Sequence, residues 1–180
     1  MIVLIMHLVF LIRSFMANEG VSMQTCLFDE LKSVHIDINS KALFCTLGCI
    51  GDYSHELFPQ ERLDLGMVSQ QRSDEYSSGR RMAHEAMSIA IGTSSPVTTN
   101  DRKPIWPDGW VGSLSHSKKL ATALLGQESS FAGVGIDLAC RSSVSRKVAE
   151  RITVGTEKLE SSEDDLWTRI YSAKEALYKA

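Results

Sequence analysis

The stretch KALFCTLGCI, Lys41 to Ile50, is a short and nearly continuous apolar run that reads as a buried β-strand. The next segment is of a different kind. HELFPQERLDLGMVSQQRSDEYSSGRRMAHEAMSIAIG, His55 to Gly92, reads as helical with breaks, best from Tyr76 to Ile91. There Ala83, Ala86, Met87, Ala90 and Ile91 recur at helical spacing and form one apolar stripe. Gly92 is a natural stop, because glycine accepts the left-handed conformation that ends many helices. A loop bearing Pro and Gly comes next, TSSPVTTNDRKPIWPDGWVGS (93–113). Strands are then predicted at 120–125 (LATALL) and 131–138 (FAGVGIDL), with turn residues between them. Residues 144–152 suit a short helix. From Glu163 the chain is helical again, with Leu166, Ile170, Ala173 and Leu177 as its apolar stripe and Ser162 at its start. Strands mixed with helices, without strict βαβ alternation, imply an α+β fold.

The bulk composition narrows the function. Of 180 residues, 43% are hydrophobic and 23% charged, the balance of a soluble globular chain. A net charge of -3 argues against general nucleic-acid binding, so any anion site must be built from local Lys and Arg. The four cysteines are scattered, and Cys45, Cys49 and His55 do not complete a zinc set. Buried free thiols in a reducing, cytoplasmic setting are the expectation. MIVLIMHLVFLI, Met1 to Ile12, is too short to span a bilayer and lacks the basic lead of a signal peptide. Met16 and Met23 come soon after it, so residues 1–22 read as an apolar extension or a mis-assigned start, and no membrane association is expected.

Five places carry possible chemistry. In VGIDLACRS (134–142) an apolar run stops on one carboxylate, Asp137, which is either a strand-end cap or a ligand. On the last helix Glu175 lies opposite the apolar stripe, Lys179 lies one turn on along the same face, and Lys174 sits on a flank. An exposed Glu–Lys pair at this spacing contributes only about 0.3–0.5 kcal/mol. The same residues could hold a metal and a phosphate, and spacing leaves both readings open. In GSLSHS (112–117), Ser115 and His116 either form a turn or hold an anion. Arg80 lies at the edge of its helix's apolar stripe, aimed at a cleft or a buried acid, whereas Arg81 points to the polar side. Lys103 precedes the rigid Pro104–Pro107 stretch, which would present a cation with little loss of chain entropy.

Taken in chain order the blocks are RSDEYSSGRRMA (72–83), RKPIWPDG (102–109), GSLSHS (112–117), VGID (134–137) and WTRIYSAKEALYKA (167–180). Together they resemble the 4′-phosphopantetheinyl transferase family, in particular its enterobactin-synthase type used in siderophore pathways. The resemblance covers roughly residues 55–180. It implies transfer of the phosphopantetheine arm of coenzyme A to a serine of an apo carrier protein, with Mg²⁺ as cofactor and a monomeric enzyme. It also implies the site. Asp137 and Glu175 match metal ligands, Glu175 being the proposed base as well. Lys174 and Lys179 match lysines on the coenzyme A phosphates. Arg80 and Lys103 match cations at the nucleotide end, and Ser115 and His116 match a phosphate-holding loop.

Two departures stand out. The family usually carries a third acid two residues after the aspartate, and here that position is Ala139. The family also continues beyond the lysine signature, whereas this sequence stops at Ala180. The fold implied is a pseudo-twofold pair of lobes with coenzyme A between them, a first lobe at 23–132 and an incomplete second lobe at 133–180. A relative that binds coenzyme A or a carrier protein without turnover is the alternative.

Overall fold

The computed structural model describes residues 32–38, 41–140, 144–153 and 164–180. The apolar residues 1–22, Cys26 and Ser162 lie outside them, and with them the readings placed there. The centre is a four-stranded antiparallel sheet in the order β1-β2-β6-β5, with β1 Lys32–Ile38, β2 Lys41–Cys49, β5 Trp110–His116 and β6 Leu120–Gln127. Leu43 pairs with Gly126 and Cys49 with Leu120, while Trp110 pairs with Gln127 and His116 with Ala121. A short hairpin, β3 Thr99–Asn100 and β4 Lys103–Pro104, turns through Asp101 (φ 47°) and Arg102 (φ 68°). The helices in chain order are α1 Pro59–Leu65, α2 Gln70–Ile91, α3 Arg146–Ile152 and α4 Asp164–Lys179. The mix is the α+β class expected from the sequence.

Both faces of the sheet are covered, which explains why β2 and β6 read as continuous apolar runs rather than alternating ones. On one face Ala121, Ala123 and Leu125 of β6 meet Met82, Ala83, Ala86 and Met87 of α2, together with Val97. The alanines let the helix lie close. The predicted stripe holds through Met87, but Ile91 is 37% exposed where the last turn leaves the sheet, and buried Met82 takes its share. Gly92 ends α2 at φ 75°, with its N–H bonded to Ser88 O. The helix begins six residues before Tyr76, because Ser69 caps it by accepting from Arg72 N.

The other face is closed by residues 131–138. These do not form the predicted strand. Apart from a single bridge residue, Gly135, the segment forms no strand, and Phe131, Val134, Ile136 and Leu138 pack on Leu43, Cys45 and Leu124. Its backbone is held by side chains, Ile136 N donating to Ser113 Oγ (3.2 Å) and Leu138 N to Ser115 Oγ (3.0 Å). GSLSHS is correspondingly not a loop. Through His116 it belongs to β5, whose inward positions 113 and 115 are serines where a buried strand would ordinarily carry apolar residues.

Helix α4 packs on this segment with the face opposite to the predicted one. Thr168 and Ala176 are buried, whereas Leu177 is 49% exposed and Leu166, Ile170 and Ala173 are only half-buried. The cause is backbone proximity. A side chain at Gly135 would collide with the Ala176 carbonyl, so only glycine allows the last turn of α4 to approach this closely. Thr168 Oγ1 accepts from Val144 N (3.3 Å) on the same face. Of the expected buried thiols, Cys45 fits, with burial pushing its pKa up to about 11, whereas Cys140 is exposed. Among the described residues no helix is long and apolar enough to cross a membrane.

Candidate active site

Asp137 sits where three elements meet. Its Oδ1 accepts from Lys179 Nζ of α4 (2.7 Å) and from Ser115 Oγ of β5 (3.0 Å), and its Oδ2 accepts from Ser172 Oγ of α4 (2.9 Å). Only 11% of its side chain is exposed. A carboxylate this buried needs such partners, since an unpaired one would be driven to its neutral form. The partners belong to blocks far apart in sequence, 22 residues for Ser115, 35 for Ser172 and 42 for Lys179.

Ser115 is fully engaged. It donates to Asp137 and accepts from Leu138 N and Lys179 Nζ (3.2 Å), which uses the one donor and both acceptor positions of a hydroxyl. A phosphate at Ser115 must therefore displace one of these partners. Lys179 Nζ also lies 3.4 Å from the Ile136 carbonyl. Its ammonium thus rests against three oxygens, Asp137 Oδ1, Ser115 Oγ and Ile136 O. An all-oxygen set already holding one cation suits a hard divalent metal, which takes one or two carboxylates and completes its shell with water and phosphate. These oxygens are of the kind Mg²⁺ takes, with Asp137 supplying the one carboxylate among them; among the described residues no three His, Cys, Asp or Glu side chains come together as a metal-holding group.

Glu175 lies on α4 one turn before Lys179 and is half-buried. The Tyr171 phenol, one turn earlier again, is hydrogen-bonded to it. The charge of Glu175, partial burial, that hydrogen bond and the more distant charge of Asp137 together raise the phenol's pKa. Both carboxylates thus act on the same tyrosine. Lys174 is engaged elsewhere, donating to Ile152 O (2.5 Å) and tying α4 to the C-terminal end of α3.

The remaining expected residues form a second group. Arg80 is buried, as its place beside the apolar stripe suggested, but among the described residues its partner is no acid. It bonds Thr99 Oγ1 (2.8 Å) and stacks 4.3 Å from the Tyr76 ring centroid. Among the described residues its Nε has no hydrogen-bond partner. The contact with Thr99 brings Arg80 to the β3–β4 hairpin that carries exposed Lys103. Arg81 points outward, over the Tyr53 ring and 3.5 Å from Glu56. His116, at the end of β5, is 41% exposed and lies 3.9 Å from Glu75 of α2.

Sequence reasoning missed Ser172 and Tyr171. Ser172, Ala176 and Lys179 stand at i, i+4, i+7, so helical spacing does place Ser172 beside the lysine. The predicted leucine stripe assigns the packing face to the other side of the helix.

Comparison with known proteins points to one family. The profile of the 4′-phosphopantetheinyl transferase N-terminal domain matches residues 61–126. The 4′-phosphopantetheinyl transferase PptT of Mycobacterium tuberculosis is 30% identical over 128 residues, 68% of this chain and 56% of that protein. The 4′-phosphopantetheinyl transferase Svp of Streptomyces mobaraensis is 28% identical over 132 residues, 69% and 54% of the two chains. Enterobactin synthase component D of Salmonella typhi is 29% identical over 121 residues, 64% and 51%. The chain thus spans about half the length of these relatives.

Proposed function

Because the chain belongs to the 4′-phosphopantetheinyl transferase family, we propose that it moves the 4′-phosphopantetheine arm of coenzyme A onto a serine of an apo carrier protein, with Mg²⁺. The observation that carries this reading is the meeting of GSLSHS, VGID and SAKEALYK in one hydrogen-bonded cluster around Asp137. In the reaction the serine oxygen bonds to the β-phosphorus of the pyrophosphate. The bond from that phosphorus to the bridging oxygen breaks, and 3′,5′-ADP leaves. Glu175 would accept the serine proton. Asp137 and Glu175 would hold Mg²⁺, which when bound offsets negative charge on the pyrophosphate. Lys174, Lys179, Ser115 and His116 serve the phosphates, and Arg80 and Lys103 serve the nucleotide end. Residues 23–132 would form the first lobe of a pseudo-twofold pair, and 133–180 would belong to the second. The enterobactin synthase relatives favour a carrier from siderophore or other nonribosomal peptide synthesis.

Incubation with coenzyme A, Mg²⁺ and an apo carrier protein should raise the carrier's mass by one phosphopantetheine group. Folded protein that produces no such gain would sink the activity. A second reading, binding without turnover, draws on Ala139 in place of an acid and on Lys179 sitting on Asp137. Calorimetry with coenzyme A separates the two, since the transferase reading requires Mg²⁺ to tighten binding. Ala139 stands two residues beyond Asp137, at the position where the resemblance places a third acid. Ala139→Glu is therefore expected to lower the Mg²⁺ concentration needed for half-maximal transfer. An unchanged requirement would show that the absent acid was never limiting.

A further inference from the structure

Lys179 occupies the oxygen cradle that the proposed reaction needs for a divalent cation. Its ammonium takes Asp137 Oδ1, Ser115 Oγ and Ile136 O at 2.7, 3.2 and 3.4 Å. Other contacts also hold the cradle in shape. Ser113 bonds Ile136 N, Ser115 bonds Leu138 N, and Ser172 bonds Asp137 Oδ2. Lys179 is also the last residue of α4, and its side chain is 29% exposed, so the ammonium can swing outward on its flexible stem without moving the helix.

We propose that Lys179 is a resident counter-ion. In the coenzyme-free protein it fills the cation cradle and keeps divalent metal out, and it gives the cradle up when a pyrophosphate offers it a stronger anion. Two cations cannot share one carboxylate oxygen without strong repulsion in a partly buried site. Metal would therefore bind well only together with the diphosphate that draws Lys179 away. The negative charge of Asp137 would never stand unpaired in either state. This inference rests on the reading of the cluster as a Mg²⁺ and coenzyme A site, and it adds an order to their binding.

The test measures Mn²⁺ binding to the full chain without coenzyme A, by the loss of the free-ion electron paramagnetic resonance signal. Lys179→Met removes the ammonium and keeps the apolar stem, and it should bind Mn²⁺ about ten-fold more tightly than the wild type. Lys179→Arg retains the charge and should remain weak. Adding Asp137→Asn to Lys179→Met should cancel the gain. Thermal melts establish folding, and Lys179→Gln serves if the Met variant is unstable. Folded Met and Gln variants that bind Mn²⁺ no better than the wild type would overturn the proposal. So would a Lys179→Arg protein that binds as tightly as the Met variant. Transfer activity does not enter these readouts, so a failed transfer assay and a failed counter-ion test are distinguishable.

Discussion

Glu61→Gln is expected to destabilise the protein by about 3–5 kcal/mol at neutral pH, the usual result of breaking a buried charged contact from one side. Glu61 is 0% exposed. Its Oε1 accepts from His84 Nε2 and Val97 N, both at 2.8 Å, and its Oε2 accepts from Phe58 N at 3.0 Å. One carboxylate thus joins the start of α1, the middle of α2 and the strap leading to β3. An amide cannot reproduce this. Whichever oxygen becomes NH₂ then faces a backbone N–H, and that buried donor loses its acceptor. A loss of this size shifts the melting temperature of a chain of this length by roughly 10 °C. The effect also has a pH signature. Burial is the largest single influence on Glu61 and pushes its pKa up, but the hydrogen bonds from His84, Val97 and Phe58 and the charge of His84 outweigh it. The folded value therefore lies below that of an ordinary glutamate. The contribution is present above about pH 4.3, the ordinary glutamate pKa, and is lost as pH falls through the folded value. The gap between wild type and Glu61→Gln should narrow on acidification. Melts between neutral pH and roughly pH 3 check this, and a constant gap would show that the charge of Glu61 is not what stabilises the contact.

Glu61 also marks where the sequence stops being informative. It looks like an ordinary surface acid in the first turn of a helix, and its partners are His84, 23 residues away, and a backbone N–H, 36 residues away. No local pattern encodes such a contact. Elements built on apolar side chains were legible: β2, the body of α2 and its Gly92 stop come directly from residue pattern. Elements whose inward positions are polar were not. β5 reads as a loop because Ser113 and Ser115 stand at its buried positions, and those hydroxyls are there to bond the backbone of residues 136 and 138. The segment 131–138 reads as a strand for the complementary reason. Its apolar side chains fit a sheet face as well as a sheet interior. On α4, hydrophobicity points to the wrong face, because Gly135 and the carboxylate of Asp137 decide which side approaches. The same limit applies to the candidate site. The sequence offers Glu175 as the partner of Asp137. Among the described residues, the groups hydrogen-bonded to Asp137 are Lys179, Ser115 and Ser172.

For the chemistry itself, Glu175→Gln is expected to reduce transfer by about 10³-fold, within the range for loss of a general base, while coenzyme A binding changes by only a few-fold. The substitution preserves shape. The Tyr171 phenol can still donate to the Gln oxygen as it does to the carboxylate. Glu175 also lies outside the Asp137, Ser115 and Lys179 contacts that tie α4 to β5 and to residue 137, so the fold should survive. Under the proposed mechanism, what is lost is the ability to take a proton from the incoming serine, together with one negative charge toward the cation. These two losses separate experimentally. If proton transfer dominates, raising Mg²⁺ leaves the variant slow, and single-turnover rates stay low at saturating coenzyme A. If charge toward the metal dominates, high Mg²⁺ restores much of the rate. A variant that turns over normally would mean that Glu175 is not the base, and attention would pass to a solvent-borne base at the Asp137 cluster. A variant that no longer binds coenzyme A would instead make Glu175 part of the framework of the site.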